Sequence, residues 1–142
     1  MFHRKLPVFF MNSEAIFKKL RLSPNQKILV INAPAEFSDL LTEFAYDAQF
    51  NPKNKGLYDF IAVFSTSKSE MEDVTQSVAE AGKYDCLFWT CYPKGTGKMK
   101  SDLKRDTIWN VVEQIGLRCV TQIALDETWS ALRARPHEAV GK

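Results

Sequence analysis

Two segments, 26 residues apart, constrain the fold of this chain more than any other feature. Gly56-Leu57-Tyr58-Asp59 precedes the apolar run Phe60-Ile61-Ala62-Val63-Phe64, and Gly82-Lys83-Tyr84-Asp85 precedes Cys86-Leu87-Phe88-Trp89-Thr90. Continuous apolar runs of this length read as strands covered on both faces. Between them, Met71, Val74 and Val78 recur at helical spacing within Ser67–Ala81, and Ser69 with Glu72 has the spacing of a capping box. Strand, helix, strand with a connection this long makes a parallel βαβ unit with a right-handed crossover.

The rest of the chain extends this unit in both directions. Ile16, Phe17 and Leu20 mark a helix from Ser13 to Leu22, which Ser23-Pro24-Asn25 stops. Lys27 to Asn32 is a further apolar strand closed by Pro34, and Phe37, Leu40, Leu41 and Phe44 mark a short amphipathic helix. Residues 45–57 carry Asn51-Pro52 and Gly56 as punctuation, with a short edge strand expected around Ala48–Phe50. After a basic loop, Asp106 reads as an N-cap, Ile108, Val111, Val112 and Ile115 as one helical face, and Gly116 as the stop. Alternation over Cys119–Leu125 and again over Trp129–Arg135, around a turn at Asp126-Glu127-Thr128, predicts an antiparallel hairpin. The fold class that follows is α/β: a three-layer Rossmann-like domain whose mostly parallel sheet ends in an antiparallel C-terminal hairpin. Residues 1–12 read as a loose N-terminal extension with Met11 as a second candidate start, 13–135 as a single α/β domain, and 136–142 as a tail.

At 142 residues, with 45% hydrophobic and 25% charged residues, the chain has the composition of a soluble globular domain. No apolar run reaches the ~20 residues of a membrane span, and Leu6–Phe10 is too short for a signal peptide's apolar region. Cys86, Cys91 and Cys119 lie in strand-like runs without a Cys-x-x-Cys, which reads as buried free thiols in a reducing, cytoplasmic setting. His3 and His137 both fall near the ends, leaving no histidine for a Ser-His-Asp or Cys-His arrangement or for catalytic zinc. No catalytic residue, metal or cofactor is called for by this pattern.

The net charge of +2 argues against a nucleic-acid protein, but its distribution is uneven. Residues 1–27 hold six cations and one acid, and residues 28–81 hold nine acids and three cations. The stretch from Tyr92 to Trp109 contains Lys94, Lys98, Lys100, Lys104 and Arg105 with two glycines, at the carboxyl end of a strand. Open α/β sheets hold anionic ligands at such places. Tyr92, Lys94, Gly95, Thr96, Gly97, Lys98, Arg105 and Trp109 are therefore the candidate ligand-binding residues. Gly95-Thr96-Gly97-Lys98 is not a P-loop, because Tyr92 and Met99 stand where that pattern needs glycine and Ser or Thr. Arg133 and Arg135 share a strand face and are expected to pair with Asp126 or Glu127, the alternative being that they join the anion site.

Two resemblances rest on these residues. The order of elements over 27–135 resembles a shortened class I methyltransferase, with its second and third strands reduced. Where that family has a glycine-rich loop after the first strand, this chain has Asn32-Ala33-Pro34-Ala35-Glu36. A second resemblance covers about residues 13–135. It is carried by Tyr92-Pro93-Lys94, by Lys100-Ser101-Asp102-Leu103-Lys104-Arg105-Asp106 through Trp109, and by Asp126-Glu127-Thr128-Trp129-Ser130-Ala131-Leu132-Arg133. These residues resemble a family of small bacterial proteins of unknown function.

The reading this favours is a domain without catalysis that binds a small anionic ligand or a protein partner through the 92–109 loop. The alternative is a methyltransferase-like enzyme with a remodelled cofactor loop, which predicts a second cleft beside Asn32, Ala33, Pro34 and Glu36. A nucleic-acid-associated protein is a third reading, which predicts the basic N-terminus and loop on one face.

Overall fold

The computed structural model describes residues 13–95 and 101–141. Helix α1 (Ser13–Leu20) leads to strand β1 (Ile28–Ile31), then α2 (Ala35–Ser38) and a 3-10 turn at Asp39–Leu41. Strand β2 (Tyr58–Phe64), helix α3 (Lys68–Ser77) and strand β3 (Gly82–Pro93) form the βαβ unit. Helix α4 (Arg105–Glu113) and strands β4 (Leu117–Ala124) and β5 (Trp129–Pro136) complete the sheet, followed by a 3-10 turn at His137–Ala139.

The five strands lie in the order β1-β2-β3-β5-β4. Pairs β1–β2 and β2–β3 are parallel, whereas β5 is antiparallel to both β3 and β4. The terminal hairpin therefore folds back into the sheet: β4 forms the outer edge and β5 fills the gap beside β3. The burial patterns show why this order is satisfied. Strand β5 is almost wholly buried, as an inner strand must be, while β4 alternates between half-buried and exposed positions, as suits an edge.

Side chains alternate across the strands, so the sheet has two apolar faces. One buries Ile28, Val30, Phe60, Phe64 and Trp89 against Ile16 and Leu20 of α1 and Phe37 of α2. The other buries Leu29, Ile61, Val63 and Phe88 against Met71 and Val74 of α3 and Ile108, Val111 and Val112 of α4. Helix, sheet, helix is the expected three-layer arrangement. Trp89 ties one layer to the sheet directly, its indole Nε1 donating to the Leu20 carbonyl at 3.1 Å.

Several local expectations shift. The α3 cap is Ser67, whose hydroxyl accepts from the Glu70 amide at 3.2 Å, while the Glu70 carboxylate accepts from the Thr66 amide at 2.7 Å. The reciprocal pair thus lies two residues before Ser69 and Glu72, because Lys68 already has helical backbone. Asp106 lies inside the first turn of α4; the N-cap position is Lys104, without a side-chain cap bond. No strand forms at Ala48–Phe50. That segment contributes one bridge, Leu29 to Asp47, and then turns away. The Asp47 carboxylate holds it at the amino ends of the strands, accepting from the Tyr58 hydroxyl and from Asn54 Nδ2. Arg135 pairs with Asp85 and not with the turn acids. Asp126 is committed to its own turn, its Oδ1 accepting from the Thr128 and Trp129 amides at 2.7 Å each.

Candidate functional site

The carboxyl ends of β1, β2 and β3 lie along one rim of the sheet, where open α/β folds place their ligands. Two hollows open along this rim, one over each face.

The first is a cavity of about 350 Å³ between α1, α2 and the β4–β5 turn. Phe37, Phe64 and Trp129 form its aromatic wall, and Glu36, Asp39 and Asp126 its carboxylates. The rings are in contact: Phe37 and Phe64 have centroids 5.1 Å apart, and Phe64 meets Trp129 edge-on at 5.3 Å. This follows from the local sequence. Phe64 is the last residue of β2, Trp129 the first of β5, and α2 begins immediately after Pro34, so three separate apolar side chains converge at one end of one face. Trp129 is 5% exposed, yet its Nε1–H is buried and has no acceptor among the described residues. Of the second predicted cleft, Glu36 lines this cavity. Asn32, Ala33 and Pro34 form the turn leading to it, with Asn32 in the left-handed region at φ 61.

The second hollow lies over the other face and has a volume of about 530 Å³. Tyr92, Lys94, Gly95 and Arg105 line it, with Gln122 and Ser130 opposite. Helix α4 starts at Arg105 and runs beside β4, which brings the Arg105 guanidinium onto Gln122 Oε1. The Lys94 amide donates to the Thr128 carbonyl at 2.7 Å and pins the loop to the hairpin turn. Burial raises the Tyr92 hydroxyl above its usual pKa, the nearby Arg105 charge opposing this. Asp102 secures the return of the loop by accepting from the Lys68 amide at 2.8 Å, and Leu103 enters the core beside α4.

The structure thus brings together four of the residues singled out in the loop. Trp109, 45% exposed, lines a smaller adjoining recess of about 160 Å³ beside Cys119, which shares Arg105 and Gln122 with the larger hollow. Thr96, Gly97 and Lys98 lie outside the described residues. The sequence marks Phe37 as part of a short amphipathic helix, Trp129 as the start of a strand and Asp126 as part of a turn; their convergence is a product of the sheet order. No metal-ligand cluster of three or more His, Cys, Asp or Glu occurs among the described residues. No helix among them is long and apolar enough to cross a membrane.

No family model and no curated protein matches the chain. Solved structures do. A SAM-dependent methyltransferase from Aquifex aeolicus superposes with a TM-score of 0.64 at 14% identity, covering 89% of each chain. Magnesium protoporphyrin IX methyltransferase from Synechocystis PCC 6803, with bound SAH, gives a TM-score of 0.57 at 9% identity over 87% of this chain and 82% of that one. A mutant of the 16S rRNA (adenine(1408)-N(1))-methyltransferase from Catenulisporales acidiphilia gives 0.54 at 10% identity over 89% and 92%. At such identities the likeness is one of fold. It corrects the reading favoured from the sequence, a non-catalytic domain acting through the 92–109 loop: the neighbours support the methyltransferase-like alternative instead. The chain has a Rossmann-like α/β fold of the kind found in SAM-dependent methyltransferases.

Proposed function

We propose that the protein is a shortened methyltransferase-like enzyme with a remodelled cofactor loop, its working cleft at the carboxyl ends of β1 and β2. The observation that supports this reading is the cavity lined by Ala35, Glu36 and Phe37, of which Glu36 alone belongs to the cleft expected at Asn32, Ala33, Pro34 and Glu36. Its volume falls in the range of small-molecule sites. The fold neighbours support the same reading.

The residues present do not reproduce the usual hold on an S-adenosyl cofactor. Asn32 supplies the left-handed turn that a glycine would otherwise make, but Ala33 and Pro34 follow it and α2 is only four residues long. The segment standing where that family has its second strand is reduced to the Leu29–Asp47 bridge, and its carboxylate, Asp47, is bound to Tyr58 and Asn54 at the opposite ends of the strands. No carboxylate of this segment stands ready for ribose hydroxyls, so no methyl-transfer step is assigned. What the chain's own residues supply is a wall of three rings and a bordering set of carboxylates.

The test is binding of S-adenosylmethionine and S-adenosylhomocysteine, read by thermal shift and by amide resonances of Asn32, Ala33, Ala35 and Glu36. The expected result is a concentration-dependent rise in melting temperature, as mass action requires of a ligand that binds the folded state. Shifts should centre on those four amides. A melting temperature unmoved by either compound at millimolar concentration would refute the assignment.

A further inference from the structure

Alternate residues of a strand share a face, so the side of β5 that meets α1 reads Trp129, Ala131, Arg133, Arg135. The first two belong to the apolar core beneath α1 and α2; the two arginines that follow are half-buried. Arg118 of β4 pairs directly with Arg135 in register, which puts it on the same face, and it is exposed. Like charges set opposite one another across two strands destabilise a sheet. Helix α1 adds a fourth cation. Trp89 is the register partner of Arg133, and its Nε1–H reaches the Leu20 carbonyl, so the next residue, Arg21, stands beside Arg133. Arg21 and Arg135 both act against the Arg133 charge.

Little in the chain offsets this gathering. Asp85 neutralises Arg135. Arg118 lies against Nε2 of the His137 ring, which brings no negative charge. Arg21 and Arg133 form no ion pair among the described residues, and the buried Arg133 Nε has no acceptor. Arg21 also has left-handed backbone at φ 60, where the Arg21 and Leu22 amides turn back to the Lys18 and Phe17 carbonyls. Glycine is the usual residue at such a helix end. Glu36, Asp39 and Asp126 lie at the other end of this face, so the small net charge does not cancel the local field.

We propose that this arginine face docks the phosphodiester backbone of a single-stranded nucleic acid. Arg133 and Arg135, two residues apart on one strand, are spaced by roughly 7 Å, close to the separation of successive phosphates. All four residues are arginine, whose planar fork meets phosphate oxygens two at a time. Every link of a nucleic-acid strand carries a charge, whereas a peptide would need acids at alternate positions. Such contacts position a strand without reading its sequence. Arg135 lies six residues beyond Trp129 on β5, roughly 20 Å from the cleft described above. The inference therefore goes beyond that reading and does not depend on it.

The test is fluorescence anisotropy with a labelled twelve-nucleotide oligouridylate, titrated at several potassium chloride concentrations. Saturable binding is expected, with log K falling against log salt at a slope of about −2 to −3, as three or four phosphate contacts require. Arg118→Gln combined with Arg133→Gln should weaken binding about tenfold or more and flatten the slope by about 1.4. Arg21→Gly should weaken binding about threefold while raising the melting temperature, because glycine relieves the left-handed backbone. A merely structural role for Arg21 would move affinity and stability together. Lys104→Gln removes the same charge at the start of α4, on the other face of the sheet, and should leave binding unchanged. Absence of saturable binding at low salt, or wild-type affinity in both arginine variants, would overturn the proposal. So would equal competition by oligoglutamate of matching charge, which would assign the face to an acidic peptide.

Discussion

Asp85 receives both arms of the Arg135 guanidinium, Nε at 3.0 Å and Nη2 at 2.7 Å, from a backbone position at φ 58 that few non-glycine residues adopt. The unusual backbone arises because β3 bulges here. Tyr58 pairs with Gly82, yet Phe60 pairs with Leu87, so β3 accommodates extra residues and turns Asp85 towards β5. The pair joins the amino end of β3 to the far end of β5.

Removing the charge tests that relationship. The hydrogen bonds from Arg135 hold the Asp85 carboxyl below its ordinary value of 3.8. A carboxyl depressed in the folded state stabilises the protein at pH above its unfolded value, and that contribution disappears as pH falls through the lower folded value. Asp85→Asn keeps a residue that tolerates positive φ while losing the charge. It should lower the melting temperature at pH 7, and the difference from wild type should shrink steadily below about pH 4. Thermal unfolding at several pH values checks this.

The same bulge makes a claim about Gly82. A Cβ there would lie 2.4 Å from Cys86 Sγ and 3.0 Å from Ile61 Cδ1. Gly82→Ala should destabilise by about 1–3 kcal/mol through overpacking. Because the worst contact is a single sulfur, Cys86→Ala in the same chain should recover much of the loss. A double-mutant cycle from urea unfolding reads the coupling.

Trp89 provides a test of the layer joint. Its ring is 1% exposed and its Nε1–H satisfies the last carbonyl of α1. Trp89→Phe removes ring volume and leaves the Leu20 carbonyl without that donor. A loss of about 2–4 kcal/mol is expected from the cavity and the broken hydrogen bond. Chemical denaturation monitored by far-ultraviolet circular dichroism measures it.

The three thiols should be sluggish in the native state. Burial pushes Cys86 up to about 11, aided by Asp85 and Asp59, and burial pushes Cys119 up to about 12; Cys91, fully enclosed, is raised further. Since the thiolate is the nucleophile, Ellman's reagent at pH 8 should react slowly with the folded protein. All three thiols should react promptly once it is unfolded in urea. The native order should be Cys86, then Cys119, then Cys91, as mass spectrometry of partly labelled protein will show.

The sequence by itself determined the long strands and helices and the layers, but not the absence of a strand at 48–50. Apolar runs at 28–31 and 60–64 can only be strands covered on both sides, and Met71, Val74 and Val78 can only face one of those sides, because burial period is written locally. It also placed Tyr92, Lys94 and Gly95 at a strand end, and these share one hollow with Arg105, the first residue of α4. What only the tertiary structure decided was strand order and everything that depends on it. Whether β5 lies beside β3 or at the edge is a choice between pairings distant in sequence, which no local pattern records. That choice sets Trp129 against Phe64, brings Arg135 to Asp85, and gives Arg105 to Gln122. Neither Phe37 nor Trp129 carries any local mark of a common cavity; they meet because the sheet twists and closes its layers over a rim that the chain reaches from three separate segments.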